Sequence, residues 1–187
     1  MSAPLVLASG SPQRRAILEQ LGVDFEVAVP GVEELDQGEP GPLVLENALR
    51  KARAVAARSA GGAVVLGVDT VVSLDGQVFG KPRDAREAEG YLRELSGRTH
   101  EVHSGLALVD HHGERTREGL TRVRFRELSQ ADLDWYVAAG EWRERAGGYA
   151  IQGRGAALVE AIEGDYWNVV GLPVSLLVGL APWLTRP

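Results

Sequence analysis

The order of apolar and polar residues along the chain predicts alternating strands and helices. Short apolar runs bounded by turn residues are typical of buried strands, and they lie at residues 4–8, 25–29, 63–68, 102–109, 121–125 and 156–162. Helical patterns lie at residues 12–21, 43–59, 85–95, 129–139 and 173–184, and residues 36–42 have the composition of a loop. Ser11 and Pro12 suit the N-cap and the first position of the first helix.

One hairpin signal interrupts this alternation. Asp75 and Gly76 stand between the apolar pairs 71–72 and 78–79, and Asp-Gly favours a tight turn between antiparallel strands. A chain that combines strand–helix units with hairpins builds a mixed sheet and not a purely parallel one. We therefore expect an α/β fold in which helices flank a mixed β-sheet.

The composition excludes several classes of protein. The 187 residues suffice for a single domain, 1–187, and the absence of cysteine excludes disulfide frameworks and thiolate zinc sites. A net charge of −6 disfavours nucleic acid as a partner, because nucleic-acid binding needs a basic face. No leader pattern is visible and no apolar run approaches the ~18 residues of a membrane span, so we expect a cytoplasmic protein with no membrane partner.

The strongest chemical signal is a carboxylate inside an apolar run. Asp69 follows Val-Val-Leu-Gly-Val and precedes Thr-Val-Val, and a buried carboxylate needs a charged, metal or hydrogen-bonding partner. The alternative is an Asp that caps a turn at a strand end. Candidate partners elsewhere in the chain are Arg14, Arg15, Lys51 and Lys81.

A second signal lies between the first strand and the first helix. Residues 9–15 combine Ser, Gly, Pro and two arginines, and the free N–H groups of a helix start bind phosphate-like anions, as arginines do. The glycine patterns of Walker and dinucleotide-binding loops are absent. An ordinary strand–helix connection is the alternative.

Two lysines are candidates to join this site. Lys51 lies one helical turn from Asn47, so the two side chains share a helix face. Lys81 follows the turn at 75–76, which returns the chain towards the strand of Asp69. Each lysine alone is more typical of a solvated surface.

Seven short segments resemble the Maf family of nucleoside triphosphate pyrophosphatases. They occur in the family's order over nearly the whole chain, at residues 7–14, 46–52, 67–72, 80–84, 95–100, 146–153 and 168–173. The resemblance implies two lobes around a nucleotide cleft, similar to the inosine triphosphate pyrophosphatases. It also implies hydrolysis between the α- and β-phosphates of a nucleoside triphosphate.

The resemblance assigns roles to individual residues. It implies that Asp69 accepts the proton of the attacking water, and that Glu34, in the pair 33–34, helps Asp69 to hold a divalent cation, Mg²⁺ or Mn²⁺. These roles agree with elementary chemistry, since a carboxylate can orient and deprotonate water while cations neutralise a leaving pyrophosphate. Phosphate contacts are implied for Ser9, Ser11, Arg14, Lys51 and Lys81.

Base choice is implied to depend on Gln13, Thr70 and Gln152. Thr70 and Gln152 resemble the type that acts on dTTP and UTP, whereas Gln13 stands where that type commonly has Arg. We therefore expect hydrolysis of dTTP and UTP, with modified pyrimidine triphosphates as further candidate substrates. The alternatives are a non-catalytic regulator of septum formation and cell division, a nucleic-acid-binding protein, or a phosphatase that releases orthophosphate.

The histidines and the strand arginines indicate no further site. His100, His103 and the pair 111–112 lack the spacing of a metal-ligand set. The alternating arginines of residues 122–126 indicate a solvated strand face or the rim of a homodimer.

Overall fold

A computed structural model of the protein describes residues 4–59 and 61–185. Within these ranges the strands are Leu5–Ala8 (β1), Phe25–Val27 (β2), Val64–Leu74 (β3), Gln77–Phe79 (β4), Thr99–Asp110 (β5), Gly113–Phe125 (β6) and Val159–Glu163 (β7). The α-helices are Pro12–Gln20 (α1), Pro40–Ala56 (α2), Ala85–Leu95 (α3), Gln130–Ala139 (α4), Tyr166–Val170 (α5) and Val174–Leu180 (α6). Short 3-10 helices cover Ala146–Gly148, Arg154–Leu158 and Pro182–Thr185.

The strands form one mixed sheet. Its order is β2-β1-β3-β5-β6-β7, and β4 pairs with the end of β3. β1 runs parallel to β2 and β3, whereas β3, β5, β6 and β7 pair successively in antiparallel fashion, as do β3 and β4. The predicted α/β fold with a mixed sheet and flanking helices is confirmed. None of the helices in the described ranges is long and apolar enough to cross a membrane.

Several element boundaries differ from the sequence predictions. β3 continues through Asp69 as one strand, because groups outside the strand compensate the charge of that side chain. α2 begins at Pro40, inside the predicted loop, since proline suits the first turn of a helix. The predicted final helix ends at Leu180, just before Pro182, which has no N–H to continue it. β7 begins only at Val159, after a 3-10 helix, and the short helix α5 was not predicted.

The long helix α2 packs directly against the backbone of β3. Gly67 permits this approach, because a Cβ at that position would lie 2.0 Å from the carbonyl oxygen of Ala48 and 2.9 Å from the Cβ of Ala52. The buried face of α2 also carries Asn47 and Lys51. The close packing therefore sets the distance between these two side chains and the strand beneath them.

Two main apolar cores lie along the sheet. The first joins α3 and α4 to the strands and includes Phe79, Leu92, Phe125 and Tyr136. The second packs α1 and α6 against β1, β3 and β5 through leucines, namely Leu5, Leu18, Leu66, Leu108 and Leu177. These cores correspond to the two expected lobes, which share one continuous sheet.

Candidate active site

Residues of both lobes line a cavity of about 980 Å³. The β1–α1 turn and residues 29–36 contribute to its wall, as do residues 78–91 and 143–149, and β3 contributes residues 69–72. Ligand cavities for small molecules measure about 300–1,000 Å³. The volume is therefore sufficient for a nucleotide.

Most of the predicted site residues meet at this cavity. Gln152 does not belong to the lining, because it is exposed in the turn at residues 151–153. Its implied role in base choice stays a prediction. The predicted site residues that do line the cavity are Ser9, Ser11, Gln13, Arg14, Glu34, Lys51, Asp69, Thr70 and Lys81.

Asp69 is held by two side chains of α2. The residue is only 4% exposed, its Oδ1 accepts a hydrogen bond from Lys51 Nζ at 2.6 Å, and its Oδ2 accepts one from Asn47 Nδ2 at 3.0 Å. Asn47 is itself fixed, because its side-chain amide exchanges two hydrogen bonds with the backbone of Leu35. Each carboxylate oxygen keeps acceptor capacity for a water molecule. Asp69 is thus a buried and oriented carboxylate, and the turn-cap alternative is wrong.

Lys51 joins two carboxylates. Its Nζ lies 2.6 Å from Asp69 Oδ1 and 2.8 Å from Glu34 Oε1. The Lys51 and Asp69 side chains are each 6% exposed, whereas that of Glu34 is 47% exposed. Breaking a buried ion pair by removing one partner costs about 3–5 kcal/mol, because the other charge is left uncompensated. Lys51 and Asp69 therefore hold each other in place beside Glu34, the more exposed acid.

Arg14 uses most of its hydrogen-bonding capacity within the protein. Burial lowers the pKa of its guanidinium, while the negative charges of Asp69 and Glu34 act in the opposite direction. Four of its N–H groups donate hydrogen bonds of 2.9–3.1 Å to the carbonyl oxygens of Gly171 and Val68 and to the hydroxyls of Ser9 and Thr70. Because a guanidinium has five N–H groups, one remains for a ligand.

Two predicted specificity residues are engaged by neighbouring hydroxyl groups. Thr70 Oγ1 lies 2.8 Å from Oγ of the buried Ser104, in addition to its bond from Arg14. Gln13 Oε1 accepts a hydrogen bond from Ser11 Oγ at 3.0 Å. Ser11 is the N-cap of α1 and Pro12 follows it, as predicted. These contacts orient both specificity residues in the protein alone.

Lys81 lies beside the loop that precedes the first 3-10 helix. Its Nζ is 3.1 Å from Glu144 Oε2, and the nearby Gly147 N–H donates to the Gly80 carbonyl at 3.1 Å. The Lys81 and Glu144 side chains are 56% and 77% exposed, and exposed ion pairs contribute at most about 1 kcal/mol. Lys81 can therefore exchange Glu144 for an anionic ligand at little cost.

Asn47, Arg145 and Tyr149 are polar residues of the cavity to which the sequence assigned no role. The helical spacing of Asn47 and Lys51 indicated a shared face, but nothing local indicated that Asn47 would donate to Asp69. Arg145 and Tyr149 reach the cavity from a segment far along the chain. A motif at residues 146–153 included Tyr149, whereas no sequence signal marked Arg145.

His100 contacts Tyr149 at the wall of the cavity. Its Nε2 lies 2.8 Å from Tyr149 Oη, and its ring packs edge-on against Phe125 and Tyr149. Burial lowers the pKa of His100 to about 4, and burial also raises the pKa of Tyr149. Both side chains are therefore neutral near pH 7.

The buried neutral His100 predicts a pH dependence of stability. Between its ordinary pKa of 6.5 and the lowered pKa of about 4, the unfolded chain binds a proton that the folded protein does not, so stability is lost as pH falls. From about pH 7.5 to about pH 5, we expect His100 to account for about 2 kcal/mol of lost unfolding free energy. Urea unfolding of the wild type and of His100→Gln at both pH values measures this difference. Equal pH dependence in the two proteins would contradict the prediction.

The pair Asp69 and Glu34 has the donor chemistry of a Mg²⁺ or Mn²⁺ site. Mg²⁺ commonly binds through one or two carboxylates and takes its other ligands from water and substrate phosphates. No group of three or more His, Asp or Glu side chains that could hold a metal occurs in the described part of the chain. Lys51 Nζ contacts one oxygen of each carboxylate, so a cation would use their remaining acceptor positions and take its other ligands from phosphate and water.

Comparisons with known proteins identify a family over most of the chain. The family model described as Maf-like protein matches residues 4–182. The dTTP/UTP pyrophosphatase of Symbiobacterium thermophilum is 52% identical over 91% of this chain and 88% of its own. The proteins of the same name from Deinococcus radiodurans and Thermus thermophilus are 46% and 48% identical, over 94% and 95% of this chain and 90% and 92% of their own. Among solved structures, the Staphylococcus aureus Ham1 protein aligns with a TM-score of 0.48 and 15% identity, over 65% of this chain and 71% of its own.

Proposed function

Because the chain belongs to the Maf family, we propose that it hydrolyses dTTP and UTP to the nucleoside monophosphate and pyrophosphate. The observation that carries this proposal is the buried Asp69 carboxylate, which Lys51 and Asn47 hold at the wall of a cavity of nucleotide size. A fixed carboxylate among cationic side chains can deprotonate water beside a phosphate chain.

Asp69 acts as the general base in the proposed reaction. One of its carboxylate oxygens takes a proton from a water molecule, and the water oxygen bonds to the α-phosphorus. The bond between the α-phosphorus and the α–β bridging oxygen breaks, and that oxygen leaves with the electron pair as part of pyrophosphate. The hydrogen bonds from Lys51 and Asn47 keep the carboxylate in one orientation, which favours a productive geometry.

The three cations that the resemblance implied as phosphate ligands have different surroundings. Lys81 is exposed and weakly paired, so we propose it as a direct phosphate ligand. Lys51 stays between Asp69 and Glu34, where it mainly orients the base. Arg14 has one free N–H and mainly positions the turn and strand around it, because its other donors are used within the protein.

We propose that Asp69 and Glu34 hold a divalent cation, Mg²⁺ or Mn²⁺, together with the substrate. When bound, such a cation supplies positive charge beside the phosphates and eases the deprotonation of water. The chain's own contribution is the two carboxylates, one held rigidly by α2 and one half-exposed.

A preference for pyrimidine triphosphates is part of the proposal. It is supported by the names of the relatives, and by Thr70, whose hydroxyl borders the cavity in a fixed orientation. A site that hydrogen-bonds a base rejects a wrong base because its polar groups are left unpaired. Thr70 and Gln13 already line the cavity, whereas Gln152 would have to reach the base from outside it.

A nucleotide panel with separate detection of pyrophosphate and orthophosphate tests the proposed function. We expect pyrophosphate release from dTTP and UTP at least about tenfold faster than from ATP or GTP, on the scale of hydrogen-bond discrimination. Release of orthophosphate would instead indicate a terminal phosphatase. Nucleotide binding without any hydrolysis would favour the non-catalytic regulator.

A further inference from the structure

Arg145 differs from the other cationic side chains of the cavity in its lack of a partner. Among the described residues its guanidinium makes no hydrogen bond and no ion pair, and its Nε is buried and unsatisfied. The other lining cations are occupied: Arg14 by four hydrogen bonds, Lys51 by Asp69 and Glu34, Lys81 by Glu144, Arg83 by Glu87, and Arg143 by the ring of Trp142.

The loop that carries Arg145 is attached to the segment that carries Lys81. Its preceding residue, Glu144, forms the ion pair with Lys81, and Gly147 two positions later donates to the carbonyl of Gly80. The loop is thus attached to the Lys81 segment on both sides of Arg145. Two segments from distant parts of the sequence, each carrying a cation, therefore meet at the cavity wall.

Arg145 carries a charge that the surrounding protein compensates poorly. Burial lowers the pKa of its guanidinium, while Tyr136, Glu141 and Glu144 act in the opposite direction, although none of them forms a hydrogen bond or ion pair with it in the described part of the chain. An arginine stays protonated at neutral pH all the same. A half-buried cation with unused donors is suited to an anionic ligand, and the planar guanidinium matches two phosphate oxygens at once.

We propose that Arg145, together with Lys81, binds the β- and γ-phosphates of the substrate and the pyrophosphate that they form. This inference rests on the proposed function and names the part of the site that receives the leaving group. Asp69 lies at the α-phosphate, where water attacks, so cations beyond that point stabilise the charge that builds up on the departing oxygen. Base recognition is the other use of a free arginine, but the attached segment brings a second cation, Lys81, to the same part of the cavity wall, which favours an anionic ligand.

Calorimetric titration with inorganic pyrophosphate and, separately, with uridine monophosphate tests the assignment. The variants are Arg145→Gln and Arg145→Lys. The matched control is Arg143→Gln, which also removes one arginine charge, two residues earlier in the chain. The Arg143 side chain is already stacked on Trp142. We expect Arg145→Gln to weaken pyrophosphate binding by at least about tenfold, the scale of a lost charge-assisted hydrogen bond, and uridine monophosphate binding by less than about threefold. Arg145→Lys should restore part of the loss, because charge returns without the fork geometry.

A loss of pyrophosphate affinity below about tenfold in Arg145→Gln overturns the assignment, and so does an equal loss in Arg143→Gln. An equal loss for uridine monophosphate also overturns it, since it would place Arg145 at the nucleoside end. The melting temperature of each variant shows whether it is folded. If Arg145→Gln does not fold, the pyrophosphate affinity of Arg145→Lys provides the test. If the titration fails while the protein still releases pyrophosphate from UTP, only the role of Arg145 is refuted. If the nucleotide panel shows no such release, the proposed function itself is refuted.

Discussion

Replacing Asp69 with Asn is expected to lower kcat by about three decades or more, in line with the loss of a base and of a metal contact together. The amide keeps the shape of the carboxylate but loses the charge that accepts a proton. Folding should survive, because Lys51 retains Glu34 as a partner at 2.8 Å. Steady-state turnover of UTP gives kcat, and calorimetry with UTP shows whether the variant still binds substrate.

The matched control is Asp75→Asn, which makes the same chemical change in the exposed β3–β4 hairpin. Asp75 lies outside the cavity lining and pairs only with Arg98 in the described residues, so its replacement should leave kcat within about twofold, as for most surface substitutions. An Asp69→Asn protein that binds UTP and retains more than about a tenth of the wild-type kcat would show that Asp69 is not the base, since general-base catalysis contributes at least about a hundredfold.

Gly67→Ala is expected to damage stability and activity together. The added Cβ would lie 2.0 Å from the carbonyl oxygen of Ala48, and backbone of a 17-residue helix cannot yield locally. We expect a loss of about 3 kcal/mol or more in unfolding free energy, at the upper end of overpacking costs. Since the same helix carries Asn47 and Lys51, its displacement should also lower kcat/KM by about a hundredfold. Urea unfolding and UTP hydrolysis measure the two effects.

Gly90→Ala in α3 is the control for this substitution. Apart from its chain neighbours and the surrounding backbone of α3, no atom of the described residues lies within 4 Å of a Cβ at Gly90, and alanine is favoured over glycine inside a helix by about 1 kcal/mol. The control should therefore unfold at an equal or higher urea concentration than the wild type. If Gly67→Ala unfolds at the same urea concentration as Gly90→Ala, the packing of α2 on β3 does not depend on the absence of a side chain at Gly67.

Local sequence patterns were sufficient for most of the fold. The cap at Ser11 and Pro12 and the turn at 75–76 appear where they were predicted, and the order of strands and helices is as predicted apart from α5, although several boundaries differ. Caps and tight turns are predictable because they depend on residues only a few positions apart. The predicted boundaries were less accurate where an apolar segment is compatible with more than one backbone conformation. Residues 173–184 are apolar except for Ser175, yet the α-helix among them stops at Leu180.

The sequence by itself also marked Asp69 as unusual, since a carboxylate in an apolar strand requires compensation wherever it folds. Which groups provide it was decided only by tertiary structure. Arg14, one of four candidates, spends its donors on the backbone and hydroxyls, whereas Lys51 and the unassigned Asn47 bond the carboxylate directly. Arg145 came to the cavity without any local signal. The physical reason is that hydrogen bonds and ion pairs act over about 3–4 Å, and which residues come that close depends on how helices pack on the sheet.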